Sequence, residues 1–241
     1  VVPQIWWSYV PFHLGSTFEG EQPSTINDFF DIEKFPGKRG VHTWGNGIVE
    51  MALYASGVAI PDIYDVLDTQ EGQDMVFAKL DTIKDHVVFW SSGAKPLDLI
   101  NSGEVSMSLA YNGRIGGAVL ADGADYVTVW DGQVLEEEWL VLMNGAPNRA
   151  AAIHFLIHAS STQAQADQAH WINYAPMRPS ALPIMAANEP WFNPGLATEA
   201  NIMEHMPTTD EHMKGGILAN PDWWADNGQA VNDRYAAWMA N

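Results

Sequence analysis

Three consecutive glutamates, Glu136, Glu137 and Glu138, stand next to Trp139. Carboxylates beside an aromatic face suit two kinds of chemistry. One is glycoside hydrolysis by an acid and a nucleophile. The other is capture of an ammonium group, attracted by the ring faces and hydrogen-bonded by the carboxylates. Adjacent residues of a strand point to opposite faces, so at most two of the three share a side. A hydrolase using Glu136 and Glu138 is therefore the alternative to a binding site. His154 and His158 lie four apart in "HFLIH", the spacing of a helical metal pair, but without the glutamate of a zinc-protease helix. Packed or half-exposed histidines are the expectation there. "EHMPTTDEH" (204–212) gathers His205, His212 and three acids and reads as a solvated loop. No metal and no cofactor is expected. "NGRIGG" follows a strand without the helix-opening spacing of a phosphate cradle, and there is no GxSxG, P-loop or dinucleotide fingerprint.

The aromatic excess is the stronger signal. Of 11 Trp and 7 Tyr, Trp6, Trp7, Trp90, Tyr111, Trp139 and Tyr174 fall at the ends of expected elements, whereas Trp223, Trp224 and Trp238 read as core of a terminal helix. The balance of 11 Lys+Arg against 30 Asp+Glu gives a net charge of −19, which argues against nucleic acid and favours small cations. The absence of cysteine excludes disulfides, thiolate metal sites and cysteine nucleophiles. No apolar run is long enough to span a bilayer, and the opening "VVPQIWWSYV" lacks the basic start and cleavage site of a signal peptide.

The elements that must position these side chains alternate between helix and strand. Helical spacing marks 46–59, and helices are also expected over two segments of 61–87, "NRAAAIHFLIHASS", "TQAQADQAHWI" and the terminal 220–241, with a short capped helix after Pro23. Val87–Trp90 and the alternating Val105, Met107, Leu109 and Tyr111 read as strands, and "DYVTVWDGQVLEEEW" as two strands around an Asp131-Gly132 turn. This predicts an α/β fold with mostly parallel strands and helical crossovers.

Taken in order, "DFFDIEKFPGKRG", "AKLDTIKDHVVFWSSGAKPLDLINSGEVSMSLAYNGRI", "NGAPNRAAAIHFLIHASS", "INYAPMRPSAL" and "WWADNGQAVNDRYAAWMAN" resemble the extracellular solute-binding proteins of ABC importers, of the spermidine/putrescine type. The resemblance implies a periplasmic-binding-protein type II-like fold of two lobes with a hinge. It implies hinge strand and second lobe over 1–129, the last part of the first lobe over 130–172, and a return to the second lobe over 173–241. Most of the first lobe is then missing, because the chain starts at the first hinge crossing. Carried over by position, Ser91 and Ser92 match the loop that closes on the ligand, Tyr111 an aromatic against the polyamine chain, Glu136 or Glu138 the amine acceptor, and Tyr174 a cleft tyrosine. Trp6 and Trp7 stand near the hinge. The implied partners are a small cationic solute, such as spermidine or putrescine, and a membrane permease, with a periplasmic or extracellular location. The family's acid after Trp90 is replaced here by Ser91-Ser92, which keeps an amino acid or zwitterion such as 4-aminobutyrate open.

Overall fold

The computed structural model describes residues 1–169, 171–187 and 201–240. Its strands are β1 (Val2–Leu14), β2 (Arg39–His42), β3 (Val87–Trp90), β4 (Met107–Tyr111), β5 (Tyr126–Thr128), β6 (Val134–Leu140), β7 (Ala175–Pro176) and β8 (Ile217–Leu218). Its helices are α1 (Ile26–Phe30), α2 (Ile48–Ala55), α3 (Ile63–Leu67), α4 (Gln70–Asp81), α5 (Lys95–Asn101), α6 (Asn112–Asp122), α7 (Arg149–Ala159), α8 (Thr162–Gln168), α9 (Leu182–Ala187) and α10 (Pro221–Ala240). The expected helix over 162–172 is realised as α8, and His170 lies outside the described residues.

The strands form one sheet in the order β3-β2-β4-β1-β6-β8, with β5 and β7 also paired to β1. β1 is the spine. It is rich in β-branched and aromatic residues, which favour extended backbone. It runs antiparallel to β4, β5, β6 and β7, whereas β2 is parallel to β3 and β4, and β6 to β8. The expectation of mostly parallel strands is thus corrected, because one long strand threads the sheet against the direction of its neighbours. The Asp131-Gly132 turn does not close a hairpin either. Asp131 accepts hydrogen bonds from the Ile26 N–H (2.9 Å) and the Tyr54 hydroxyl (3.2 Å), which holds the turn against α1 and α2.

Two further expectations change. "NGRIGG" opens helix α6 despite its glycines, which are poor helix formers. Gly113 and Gly116 stand where Tyr174 and Asn173 press on the helix backbone, so packing outweighs propensity. The 204–212 segment is packed rather than solvated. Met206 and Pro207 are buried, His212 stacks on Trp130 with ring centroids 4.1 Å apart, and the Gln133 side-chain amide donates to the Pro207 and His212 carbonyls.

The main core lies around β1, β2 and β4 and the helices α1 to α5 and α10. α2 is apolar nearly all round and buried accordingly. Its one carboxylate, Glu50, is fully buried and accepts from the Gly47 N–H (2.9 Å), the Tyr64 hydroxyl (2.9 Å) and the Trp224 indole N–H (2.7 Å). Burial pushes its pKa up, and these donors offset part of that. A second, smaller core joins Leu120, Ala166, Ala169, Met185, Ile202 and Met206. α7 differs from the other long helices in having no buried residue, and Phe155 and Ile157 are 58% and 66% exposed.

Arg39, at the start of β2, is fully buried without a carboxylate partner within 4 Å among the described residues. Its guanidinium donates to the carbonyls of Phe29 (2.7 Å), Gly37 (2.9 Å), Asp31 (3.2 Å) and Phe35 (2.6 Å). Burial lowers its pKa to about 10, so it remains charged at neutral pH.

Gly47 precedes α2 with φ of +85°, and a Cβ there would lie 2.6 Å from the Tyr9 ring. Gly47→Ala is expected to cost about 2–3 kcal/mol, from left-handed backbone strain plus the clash. Urea unfolding checks this; an unchanged midpoint contradicts it.

Candidate ligand-binding cleft

The strand period places Trp7 and Tyr9 on one face of β1 and Glu136 and Glu138 on one face of β6. The register sets Trp7 opposite Glu136. These four side chains, with Tyr111 at the end of β4, Arg114 in the first turn of α6 and Tyr174 just before β7, line one cleft of about 430 Å³. The end of β2 adds His42, the loop after it Trp44 and Asn46, and the loop after β3 Gly93. The volume suits a small organic molecule.

The aromatic wall is continuous. Trp7 meets Tyr111 edge-on with centroids 5.1 Å apart, Tyr9 lies 5.8 Å from Tyr111, and Trp90 backs both tyrosines at 6.1 Å. Amide bonds fix the elements around it. The Asn112 side chain accepts from the Ser8 N–H (2.9 Å) and donates to the Asn173 carbonyl (3.0 Å), while the Asn173 side chain donates back to the Asn112 carbonyl (3.2 Å). β1, α6 and the segment before β7 are thereby tied together beside the cleft.

The charges are divided. Glu136 is pushed up to about 7, first by burial, then by the negative charges of Glu50 and Glu138. Tyr111 is raised by burial and by Glu136; Tyr174 is raised by burial, and the Arg114 charge opposes that rise. Arg114 itself is exposed, and among the described residues no carboxylate lies within 4 Å of its guanidinium. The cleft therefore offers an acidic side poor in cations and an unpaired guanidinium, joined by rings. Such a site can hold an ammonium group and a carboxylate at once.

The Glu136 shift has a pH signature. With the folded pKa above the unfolded one, its contribution favours the folded state below pH about 4.5 and is lost as pH rises through about 7. Glu136→Gln should remove this loss, raising stability at pH 8 relative to pH 5 by about 1–2 kcal/mol after solvent screening. Urea titrations at both pH values test it; a variant whose pH profile parallels the wild type contradicts it.

Tyr174 reaches the cleft because residue 113 has no side chain. A Cβ on Gly113 would lie 2.3 Å from Tyr174 Cε1, whereas one on Gly117 would meet nothing within 4 Å. Gly113→Ala should shift the ring and weaken ligand binding about 10-fold, a loss of about 1.4 kcal/mol. Gly117→Ala should leave binding unchanged and stabilise the helix by up to about 1 kcal/mol. Equal effects of the two changes on calorimetric affinity would contradict this assignment.

Of the residues singled out from sequence, Trp7, Tyr111, Glu136, Glu138 and Tyr174 line the cleft. Trp6 does not; it packs against the smaller core, as alternation with Trp7 requires. Ser91 and Ser92 are exposed just before Gly93 and do not line the cleft. Glu137 accepts from the Trp139 indole N–H at 2.9 Å, outside the cleft. His154 and His158 are exposed on α7, and among the described residues no group of three or more His, Asp or Glu is placed to hold a metal. Sequence reasoning missed Tyr9, His42, Trp44, Asn46, Gly93 and Arg114. Tyr9 was within reach, two positions beyond Trp7 on the same strand; Arg114 was hidden by the misread helix start.

Residues 5–198 match the family model described as bacterial extracellular solute-binding protein. The chain is 33% identical over 234 residues to a gamma-aminobutyric acid-binding protein of Pseudomonas aeruginosa. That match covers 97% of this chain and 62% of the relative, so the chain spans less than two thirds of that protein's length. The crystal structure of the PBP MotA from A. tumefaciens B6 in complex with glucopine superimposes with a TM-score of 0.83 at 29% identity, covering 99% of this chain and 70% of that one. A GABA receptor structure matches with a TM-score of 0.78 at 30% identity, covering 98% and 67%.

Proposed function

Because the chain belongs to the bacterial extracellular solute-binding protein family, with the fold of the periplasmic binding proteins, we propose that its cleft captures a small zwitterion of the 4-aminobutyrate class for delivery to an ABC importer. One observation carries this reading. Arg114 and the Glu136–Glu138 pair line the same aromatic cleft. A diamine or polyamine would bring a second cation towards the guanidinium, whereas an ω-amino acid gives each charge an opposite partner. The zwitterion is therefore favoured over spermidine or putrescine, and the gamma-aminobutyric acid-binding relative agrees with that choice.

In this reading the rings and carboxylates hold the ammonium end. Each cation–π contact contributes about 0.5–2 kcal/mol, and each charge-assisted hydrogen bond about 1.5–3 kcal/mol. A few of each, less the ordering cost, reach about −8 kcal/mol, or micromolar affinity. The solute is held and released unchanged, so no carboxylate acts as a nucleophile. The work is done outside the cytoplasm, as the family's name implies, and a membrane permease receives the loaded protein. β1, β6 and the segment leading into β7 serve as the hinge crossings, dividing the chain into 1–129, 130–172 and 173–241. Ser91 and Ser92, beside the cleft mouth, approach the solute only on closure.

Calorimetry with 4-aminobutyrate, butyrate, butylamine, putrescine and spermidine tests the proposal. The expected result is micromolar binding of 4-aminobutyrate and at least 10-fold weaker binding of every one-ended or doubly cationic compound. Tighter binding of putrescine than of 4-aminobutyrate would overturn it.

A further inference from the structure

We propose that His42 is a further ligand-contacting residue of the cleft, fixed as the neutral Nε2–H tautomer and offering one N–H donor to the solute's carboxylate. This rests on the zwitterion reading above. The tautomer follows from one bond. His42 Nδ1 lies 2.9 Å from the Trp44 backbone nitrogen, whose N–H can only donate. Nδ1 is therefore the acceptor and carries no proton, which leaves the ring proton on Nε2.

The ring has little freedom to do otherwise. It is 5% exposed, edge-on to Trp90 with centroids 4.5 Å apart, and 4.7 Å from the Trp44 ring. Its backbone is held on both sides, the N–H donating to the Tyr9 hydroxyl (3.2 Å) and the carbonyl accepting from the Tyr235 hydroxyl (3.0 Å). Burial also lowers its basicity, which keeps the ring neutral. His42 lines the cleft, and among the described residues Nε2 has no protein acceptor. Nε2 is not among the buried polar atoms left without a partner, so this N–H opens into the cleft, where a ligand oxygen can take the place of water. The chargeable groups sharing the cleft are Tyr9, Tyr111, Tyr174, Arg114, Glu136 and Glu138. Of these only Arg114 is a cation, so His42 supplies a second donor for an anionic end without adding a charge that would repel the ammonium. The same imidazole also holds Trp44, a 63% exposed tryptophan, at the rim through the Nδ1 bond.

Long-range ¹H–¹⁵N spectra of histidine-labelled protein read the tautomer directly. The expected spectrum has unprotonated Nδ1 and protonated Nε2 for His42, with the Nε2–H signal moving when 4-aminobutyrate is added. His42→Asn keeps an oxygen near the Nδ1 position for the Trp44 N–H and removes the Nε2 donor. It should bind 4-aminobutyrate about 5- to 20-fold more weakly and butylamine unchanged, with a lowered urea midpoint because the packed ring is lost. A protonated Nδ1, an unmoved Nε2–H signal, or equal losses for both ligands would overturn the inference. Should the variant fold poorly, the wild-type spectra decide alone. If wild-type protein binds 4-aminobutyrate and the variant binds it equally well, only the His42 assignment fails. If wild-type protein binds no carboxylated solute, the proposed function fails and takes this contact with it.

Discussion

Arg114→Met should weaken 4-aminobutyrate binding by about 10- to 100-fold while leaving putrescine binding no weaker than in the wild type. The guanidinium has no carboxylate partner within 4 Å among the described residues, so its charge is free to meet an anionic ligand group. Methionine keeps the apolar stem and removes only the charged fork. Because the side chain is exposed, the folding cost of the change is small, which separates binding from stability. Glu136→Gln should act on the opposite end of the solute, weakening every amine, diamines included. Calorimetry of both variants against both ligands forms the test. Arg114→Met losing 4-aminobutyrate and putrescine equally would remove the carboxylate from the picture.

Arg39→Met should lower folding stability by about 3–5 kcal/mol, the range for breaking a buried charged hydrogen-bond cluster. The four carbonyls that Arg39 now satisfies belong to residues 29–37, a stretch that closes the path from α1 to β2. Without the guanidinium the Phe29 and Phe35 carbonyls lose a buried partner and the Gly37 carbonyl a half-buried one, whereas the Asp31 carbonyl keeps the Phe35 N–H. Arg39→Lys should recover only part of the loss, because an ammonium group cannot span acceptors arranged around a planar fork. The damage should reach the cleft as well, since β2 runs from Arg39 directly to His42. Urea unfolding followed by tryptophan fluorescence measures the effect. An Arg39→Met midpoint within experimental error of the wild type would show that solvent replaces the side chain there.

Much of this arrangement is legible in the residues, for definite reasons. Alternation alone separates Glu136 and Glu138 from Glu137, and Trp7 from Trp6, because a strand has two faces and no third. The terminal helix carries enough periodicity to be recognised without tertiary information, and α7 is recognisable from its run of good helix formers rather than from a one-sided pattern. What escaped notice depends on contacts distant in sequence. "NGRIGG" contradicts helix propensity, and only the approach of Tyr174 and Asn173, some sixty residues further on, accounts for Gly113 and Gly116. The antiparallel run of β1 is likewise invisible locally, since strand direction is set by partners in distant parts of the chain. His42 and Trp44 have no periodic signal, because β2 is only four residues long and ends at His42, whose backbone is held by Tyr9 and Tyr235, and Trp44 lies in the loop that follows.

β1 combines two roles that set different tolerances along thirteen residues. Between Pro3 and Ile5 the pairing with β6 is irregular, so an added or lost residue before Ile5 has a place to be absorbed. From Ile5 to Tyr9 the register is unbroken. A single-codon deletion there would exchange the inward and outward tryptophans and turn the tyrosine away from the solute, all in one event. Length variation among natural variants of this gene should therefore cluster upstream of Ile5 and be missing from the five codons that follow.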